Sequence, residues 1–367
     1  METQTTEHHD PDIARVSLSP DPEIGSIHYR AQDVEPGGLF IAIKGLVADG
    51  HDFIDDALSR GASAIVTQKP VNRESVIIEV ENTRRALATI SGRFYSNPAE
   101  KLFLIGITGT NGKTTTAFLI EQILSQAGIN VGVIGTLNYR YSGKTFQNPI
   151  TTPESLDLQK ILAQMLEEGI THVVMEVSSH ALDLDRVFNC KFDLAVFTNL
   201  TQDHLDYHKD MESYWSCKKR LFTEILGPKS GNYRAMAVIN HNDEKGKQLI
   251  HMLEAKSDEI SVLSAGFSDK TGIWAERFDY NLTGISGRIS TPEGFFEFKS
   301  SLVGQHNLEN LLCATGIGIA LDVSLDIIKK AIESVVAVPG RLETIPNDNN
   351  RFVYVDYAHT PDALENV

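Results

Sequence analysis

Apolar residues along the chain come in short blocks separated by amphipathic stretches, and the two patterns have different periods. From Gly38, the run Leu39 to Ile43 reads as a strand and His51 to Arg60 as a helix. Ala62 to Thr67 and Val76 to Val80 read as strands, and Thr83 to Tyr95 as a helix ended near Pro98. This alternation predicts a small α/β domain. It resumes on a larger scale at Lys101. Leu102 to Ile107 is a short apolar strand, followed by a Gly/Thr-rich loop. Ile120, Ile123, Leu124 and Ala127 then mark one helical face at i, i+3, i+4, i+7, with Gly128 as its stop. Val131 to Ile134, His172 to Val177, Leu194 to Thr198 and Ala235 to Asn240 are further apolar runs, most of them separated by helical segments. They predict a mainly parallel sheet covered by helices. From Ile273 to Val303, strand-like runs alternate around turns such as Thr291-Pro292-Glu293-Gly294, which predicts an antiparallel β layer. Helices at about His306 to Leu321 and Ser324 to Val335 precede a break at Pro339-Gly340.

The expected organisation is a loose polar tail over 1–22, a small α/β domain over 23–99 and a central parallel-sheet domain over 100–338. Residues 339–367 begin a third domain. Phe352 to Asp356 is a strong strand there, yet 27 residues after Gly340 are too few to build a core. The sequence is therefore expected to lack the rest of that domain.

Composition narrows the function. Lys and Arg number 33 against 49 Asp and Glu, a net charge of −16. That disfavours binding to nucleic acid or to an anionic membrane, both of which need a basic surface. The three cysteines, Cys190, Cys217 and Cys313, lie far apart with no CxxC, so reduced thiols are expected rather than a zinc knuckle or a disulfide framework. Met1 to Pro22 lacks the apolar core of a secretion signal, and no apolar stretch approaches the ~20 residues needed to span a bilayer. The cytoplasm is the expected compartment.

The strongest chemical signal is Gly106-Ile107-Thr108-Gly109-Thr110-Asn111-Gly112-Lys113-Thr114-Thr115-Thr116, after an apolar strand and opening a helix. Glycines let backbone N–H groups wrap phosphate oxygens at the positive end of a helix. Lys113 would reach the phosphates and the Thr114 hydroxyl would hold Mg²⁺. The strict Walker spacing fails by one residue, since Ile107 stands where a glycine is required. Glu176 ends an apolar strand, where a carboxylate either serves Mg²⁺ or pairs with Arg or Lys. Thr198 to His208 again places polar residues after a strand. His204 and His208, at i, i+4, could share a helical face, and oxygen-preferring Mg²⁺ would take at most one of them. For His208 a solvated loop histidine is the simpler reading. Lys218-Lys219 read as surface lysines on residue physics alone. In Gly304-Gln305-His306-Asn307-Leu308-Glu309-Asn310 an Asn could read an adenine edge or cap the helix. Arg341 could neutralise phosphate charge, and Asp356 could accept from ribose hydroxyls.

Together these motifs resemble the Mur ligases, from about residue 25 to the end. Within that family the likeness is to the branch that adds a diamino acid. It is carried by the Gly109 to Thr116 loop, Thr151-Thr152-Pro153, the runs Glu176 to His180, Thr198 to His208 and Asp356 to Leu364, and Asp49-Gly50-His51. The resemblance implies ATP-dependent amide ligation. The carboxylate of UDP-MurNAc-L-Ala-D-Glu becomes an acyl phosphate, which the amine of meso-diaminopimelate or L-lysine attacks. It implies ATP and two Mg²⁺ ions as cofactors, a monomer, and a Rossmann-like third domain. Gly109, Thr110, Asn111, Gly112, Lys113, Thr114, Thr115, Asn307, Asn310, Arg341, Asp356 and His359 then belong to the nucleotide side. Thr114, Glu176, His204 and Lys218 look like the metal set, with Lys218 where the family has a carbamylated lysine. Lys113, Glu176, His204 and Lys218 are the implied catalytic group. Tyr29, Arg30, Thr151, Thr152, Ser178, Arg186 and Lys218 resemble the binders of the UDP-muramoyl-dipeptide. His28-Tyr29-Arg30 departs from the family's usual Asp-Ser-Arg, and Leu184 stands where some members have Gln. The motif that selects the amino acid would lie in the missing domain, so diaminopimelate is expected only because it is common. The competing readings are another superfamily ligase, such as MurF or a folylpolyglutamate synthase, and an inactive nucleotide-binding remnant.

Overall fold

The computed structural model describes residues 13–16, 21–229, 234–255, 258–347, 351–358 and 364. The chain forms two compact units. The first is Met1–Asn97 with Glu154–Lys160 and Leu184–Asn189; the second is Pro98–Pro153, Ile161–Asp183 and Cys190–Val367. His359 lies outside the described residues.

The first unit holds a sheet of β1 (Ile13–Val16), β2 (Ile27–His28), β3 (Leu39–Ile41), β4 (Ala64–Thr67) and β5 (Val76–Val80), in the order β1-β5-β4-β3-β2. β2 to β5 run parallel, and β1 adds antiparallel to β5. Residues 13–16 therefore form an edge strand inside the stretch expected to be a loose tail. Polar neighbours masked the short Ile13–Val16 segment, which gains its hydrogen bonds only from the distant edge of β5. Alternate side chains of one strand face opposite sides of a sheet. Leu39 and Ile41 join one apolar cluster with Val66 and Leu87, while Phe40 joins the other with Ile54, Ala57 and Ile65. Burial on both faces explains why the run is continuously apolar. The expected His51 to Arg60 helix opens as a 3₁₀ turn, Gly50–Phe53, capped by Asp49, before α-helix Ile54–Ser59.

The second unit contains β6 (Phe103–Thr108), β7 (Val131–Ile134), β8 (Tyr139–Tyr141), β9 (Lys144–Phe146), β10 (His172–Glu176), β11 (Leu194–Phe197), β12 (Ala235–Asn240), β13 (Ile260–Gly266), β14 (Ile273–Asn281), β15 (Gly284–Thr291) and β16 (Gly294–Ser300). They make one sheet in the order β16-β15-β14-β13-β12-β11-β6-β10-β7-β8-β9. Its centre, from β7 to β14, is parallel, and both ends are antiparallel hairpins. The antiparallel strands expected from Ile273 onward extend this same sheet. Helices Lys113–Gln126 and Gln305–Ala320 contribute Ile120, Ile123, Leu311 and Leu312 to its core. A parallel centre has a functional consequence, because the loops leaving β6, β10, β11 and β12 all emerge at one edge. Glu176 is level with Ile107, and Phe197 with Thr108. A small antiparallel pair, β17 (Glu343–Thr344) with β18 (Tyr354–Val355), follows the Pro339-Gly340 break. Among the described residues, Cys190, Cys217 and Cys313 are not joined in disulfides. Among the described residues no helix is long and apolar enough to cross a membrane.

Candidate active site

The loop after β6 turns into helix Lys113–Gln126 through two glycines with positive φ, Gly109 at 148° and Gly112 at 85°. A Cβ on Gly109 would fall on the Thr198 hydroxyl, and one on Gly112 on the Asn310 side-chain oxygen. Both the backbone conformation and the space require glycine. Asn199 clamps the loop, its Oδ1 accepting from Asn111 N at 2.9 Å. Lys113 Nζ donates to the Gly109 and Thr110 carbonyls at 2.9 and 2.7 Å.

Lys218 is 1% exposed, against its reading as a surface lysine. Helix Met211–Arg220 turns it inward over the Tyr214 ring, 4.5 Å from the ring centre, and its Nζ donates to the Gly109 carbonyl at 2.8 Å. One carbonyl thus receives both lysines. Burial, and then the neighbouring Lys113 charge, hold the Lys218 amine well below its ordinary pKa. Desolvation also pushes Lys113 down, with Glu176 acting in the opposite sense.

Glu176, 1% exposed, accepts from three neutral donors: the Thr114 hydroxyl at 3.1 Å, the Thr136 hydroxyl at 2.9 Å and Thr136 N at 3.0 Å. Arg341 reaches the same Thr114 hydroxyl from 3.3 Å. His204 takes φ 52° as the residue before the short helix Leu205–His208, and its ring lies 3.4 Å from Asp203. Burial lowers its pKa, which favours the neutral, ligating imidazole. His208 is buried rather than solvated, with Nε2 at 2.9 Å from the Ser179 hydroxyl and its ring beside Tyr214. The contact with Ser179, from the helix that follows β10, is a tertiary one with no local sequence signal.

A cavity of about 400 Å³ opens beside the loop, lined by Asn111, Gly112 and Thr115 together with Asn307, Asn310, Arg341 and Asp356. The structure thus brings motifs from three distant stretches together. Asn310 accepts from the Thr116 hydroxyl at 3.2 Å and donates to Asn307 at 3.0 Å. Asn307 does not cap its helix. Gly304 stands at the cap, and Asn307 donates back to the Val303 carbonyl at 2.7 Å. Asp356 accepts from Leu342 N and Ala358 N, both at 2.6 Å. Asn199, Asn240, Asn242 and Glu309 also line the cavity. Asn199 and Glu309 lie inside the runs Thr198 to His208 and Gly304 to Asn310 but receive no role of their own from the sequence; Asn240 and Asn242 carry the signal used elsewhere, polar residues at the end of an apolar strand, and were missed.

Thr151, Thr152 and Ser178 sit beside Glu176. The Thr151 and Thr136 hydroxyls are 3.1 Å apart, and Thr152 Oγ1 donates to the Glu176 carbonyl at 2.8 Å. Thr152 Oγ1 also accepts from Ser178 N at 3.1 Å. Tyr29, Arg30 and Arg186 belong to the first unit. There Tyr29 donates to Asp157 at 2.7 Å with the Arg30 guanidinium 5.3 Å from its ring centre, and Arg186 pairs with Glu154 at 3.4 Å. Burial and the Asp157 bond push the Tyr29 phenol up.

The Mur ligase middle-domain model matches residues 107–318, and the model for the Mur ligase family catalytic domain matches 23–95. The chain belongs to the Mur ligase family. A UDP-N-acetylmuramoyl-L-alanyl-D-glutamate–2,6-diaminopimelate ligase of Geobacter metallireducens is 47% identical over 348 residues, 94% of this chain and 67% of the relative. A Geobacillus thermodenitrificans ligase of the same name is 42% identical over 94% of this Mur ligase chain and 70% of its own length. A solved structure under that name has a TM-score of 0.79 at 27% identity, covering 95% of this chain and 71% of the other. The Thermotoga maritima MurF ligase, solved with ADP, shares the fold at a TM-score of 0.63 and 20% identity, over 93% of this chain and 73% of its own.

Proposed function

We propose that this Mur ligase adds 2,6-diaminopimelate, rather than L-lysine, to UDP-N-acetylmuramoyl-L-alanyl-D-glutamate in peptidoglycan precursor synthesis, using ATP. Residues 23–99 serve the UDP substrate, 100–338 the nucleotide, and those from 339 begin the domain on the amino-acid side. The observation that carries the ATP-dependent part of this reading is the 3.1 Å bond between Thr114 of the phosphate loop and Glu176 at the end of β10, while the UDP substrate and the diamino acid rest on the names of the relatives. That bond joins the hydroxyl and the carboxylate that phosphoryl transfer requires at one point of the sheet edge.

A carboxylate is a poor electrophile and needs a leaving group. A carboxylate oxygen of the dipeptide attacks the γ-phosphorus of ATP, the bond to ADP breaks, and an acyl phosphate forms. The amine nitrogen then attacks the carbonyl carbon, the C–N bond forms, inorganic phosphate leaves and the nitrogen loses a proton. The loop N–H groups, Lys113 and Arg341 offset the charge of bringing two anions together. Asn307, Asn310 and Asp356 hold the nucleoside end. Thr151, Thr152, Ser178, Tyr29, Arg30 and Arg186 orient the UDP substrate. Among the described residues no three His, Cys, Asp or Glu side chains converge as a metal cluster. The donors that do meet, the Thr114 hydroxyl and the Glu176 carboxylate, are hard oxygens and fit Mg²⁺ that completes its shell with phosphate and water. His204 and Lys218 complete the proposed set for two ions. When bound, Mg²⁺ neutralises phosphate charge. The depressed pKa of Lys218 favours a neutral amine, which would add CO₂, forming an N–C bond with release of a proton and turning the amine into an anionic oxygen ligand.

Calorimetric titration tests the reading. UDP-MurNAc-L-Ala-D-Glu and Mg²⁺-ATP should each bind saturably. Lys113→Ala should weaken ATP by about 10- to 100-fold, the effect of one hydrogen bond to a charged group, and leave the UDP substrate unaffected. A folded sample that binds neither ligand would sink the proposal.

A further inference from the structure

Thr136 belongs to none of the motifs that the sequence marks, yet it lies between two of them. It follows β7, which pairs with β10 so that Ile134 is level with Met175. Thr136 and Glu176 therefore leave the sheet side by side at the same edge. Gly135 lets the carboxylate lie against the turn, since a Cβ there would fall on Glu176 Oε1. Thr136 then holds the carboxylate twice. Its N–H donates to Oε1 at 3.0 Å and its hydroxyl to Oε2 at 2.9 Å. One bond on each oxygen fixes the orientation of the carboxylate as well as its position.

The direction of the protons follows. A carboxylate only accepts, and a hydroxyl has one proton to give. The Thr136 proton is spent on Glu176, so the Thr151 hydroxyl, 3.1 Å away, is the donor of that pair. With its own proton committed to Thr136, the Thr151 oxygen has only lone pairs left to offer. We propose that Thr136 is a positioning residue for both ligands. It presents Glu176 to the cation that accompanies ATP, and it sets Thr151 as an acceptor. An acceptor suits an amide N–H of the UDP-muramoyl-dipeptide and not its carboxylates or phosphates. Neutral donors suit the first task, because an Arg or Lys in place of Thr136 would compete with the cation, whereas N–H and O–H orient the carboxylate and leave its charge intact. The inference rests on the reading of Glu176 as a Mg²⁺ ligand and of Thr151 as a substrate group.

Calorimetric titrations of the whole chain test it, with ATP over a range of free Mg²⁺ and separately with UDP-MurNAc-L-Ala-D-Glu. Thr136→Val keeps the N–H and the shape and removes the hydroxyl. It should raise the Mg²⁺ concentration that half-saturates the gain in ATP affinity by about 10-fold or more. ATP affinity without Mg²⁺ should not change, and the UDP substrate should weaken by about 3- to 10-fold, the worth of one neutral hydrogen bond. Thr136→Ser restores the hydroxyl and should restore both. Thr151→Val should weaken the UDP substrate and keep the native Mg²⁺ midpoint. Adding Thr136→Val to it should cost no further UDP affinity, while the Mg²⁺ shift returns. A turn residue with a structural role alone would lower the melting temperature and spare the Mg²⁺ midpoint. A folded Thr136→Val with the native midpoint overturns the inference, as do a Thr136→Ser that fails to rescue and losses of UDP affinity that simply add. Unchanged UDP affinity in Thr151→Val overturns it even if Thr136→Val does not fold. A native chain that binds neither ligand, or binds ATP without regard to Mg²⁺, removes the underlying reading before any variant is made, and this inference with it.

Discussion

A lysine side chain that is 1% exposed disfavours folding unless its amine gives up its proton or gains strong partners. Lys218 has one carbonyl, shared with Lys113, and the face of Tyr214. Its folded pKa is depressed, so the unfolded chain binds the extra proton, and native stability rises with pH until the unfolded lysine also titrates, near 10.4. Lys218→Met keeps the volume and removes this term, and the Gly109 carbonyl retains Lys113. In CO₂-free buffer the variant should melt roughly 2–4 °C higher at pH 7, with the difference shrinking toward pH 10 and ligation lost. A lower melting temperature at pH 7 would mean that Lys218 is stabilising as it stands. Nothing within helix Met211–Arg220 told a buried Lys218 from its neighbour Lys219; the difference is that one of them meets the phosphate loop. Lys113, Thr114 and Glu176 were legible because each has a local signature, a glycine loop or an apolar strand end. Glu309 was not, because its neighbours Asn240 and Asn242 arrive from another part of the chain.

Elements were legible in proportion to the strength of their local pattern. The central strands β6, β10, β11 and β12 are apolar on both faces and stand out as runs. β13 has Ser261 and Ser264 among its residues, so its pattern is too weak to read even though it lies between β12 and β14 in the sheet. The β8–β9 hairpin did carry a signal: Ser142-Gly143, both with positive φ, flanked by aromatic residues. Helix Thr83–Phe94 shows how an element's start is set. Asn82 accepts from Arg84 N and Arg85 N at 2.9 and 3.1 Å, satisfying two of the open N–H groups. Asn82→Ala should therefore cost about 1 kcal/mol, read by urea unfolding followed by far-UV circular dichroism, with ATP affinity unchanged. A loss well under half of that would show that these bonds are replaced by water without penalty.

At the scale of the whole molecule, the apolar clusters of the first unit are separate from the large cluster around helix Lys113–Gln126. The first unit completes itself with Glu154–Lys160 and Leu184–Asn189, excursions that no local pattern announces. Chains with more than one core commonly depart from two-state unfolding. The chain has two tryptophans, Trp215 and Trp274, and both lie in the second unit. Tryptophan fluorescence therefore reports the second unit alone, and circular dichroism reports both. The two probes should give transitions that do not coincide, and Asn82→Ala should move only the dichroism curve. Mg²⁺-ATP should act on the other transition. A ligand at 100 times its Kd stabilises the folded form that binds it by about 2.7 kcal/mol, so the fluorescence midpoint should rise while the remaining dichroism transition stays in place. Coincident curves that shift together with ATP, and together with Asn82→Ala, would instead mean that the two cores unfold as one cooperative structure, with the nucleotide site stabilising all of it.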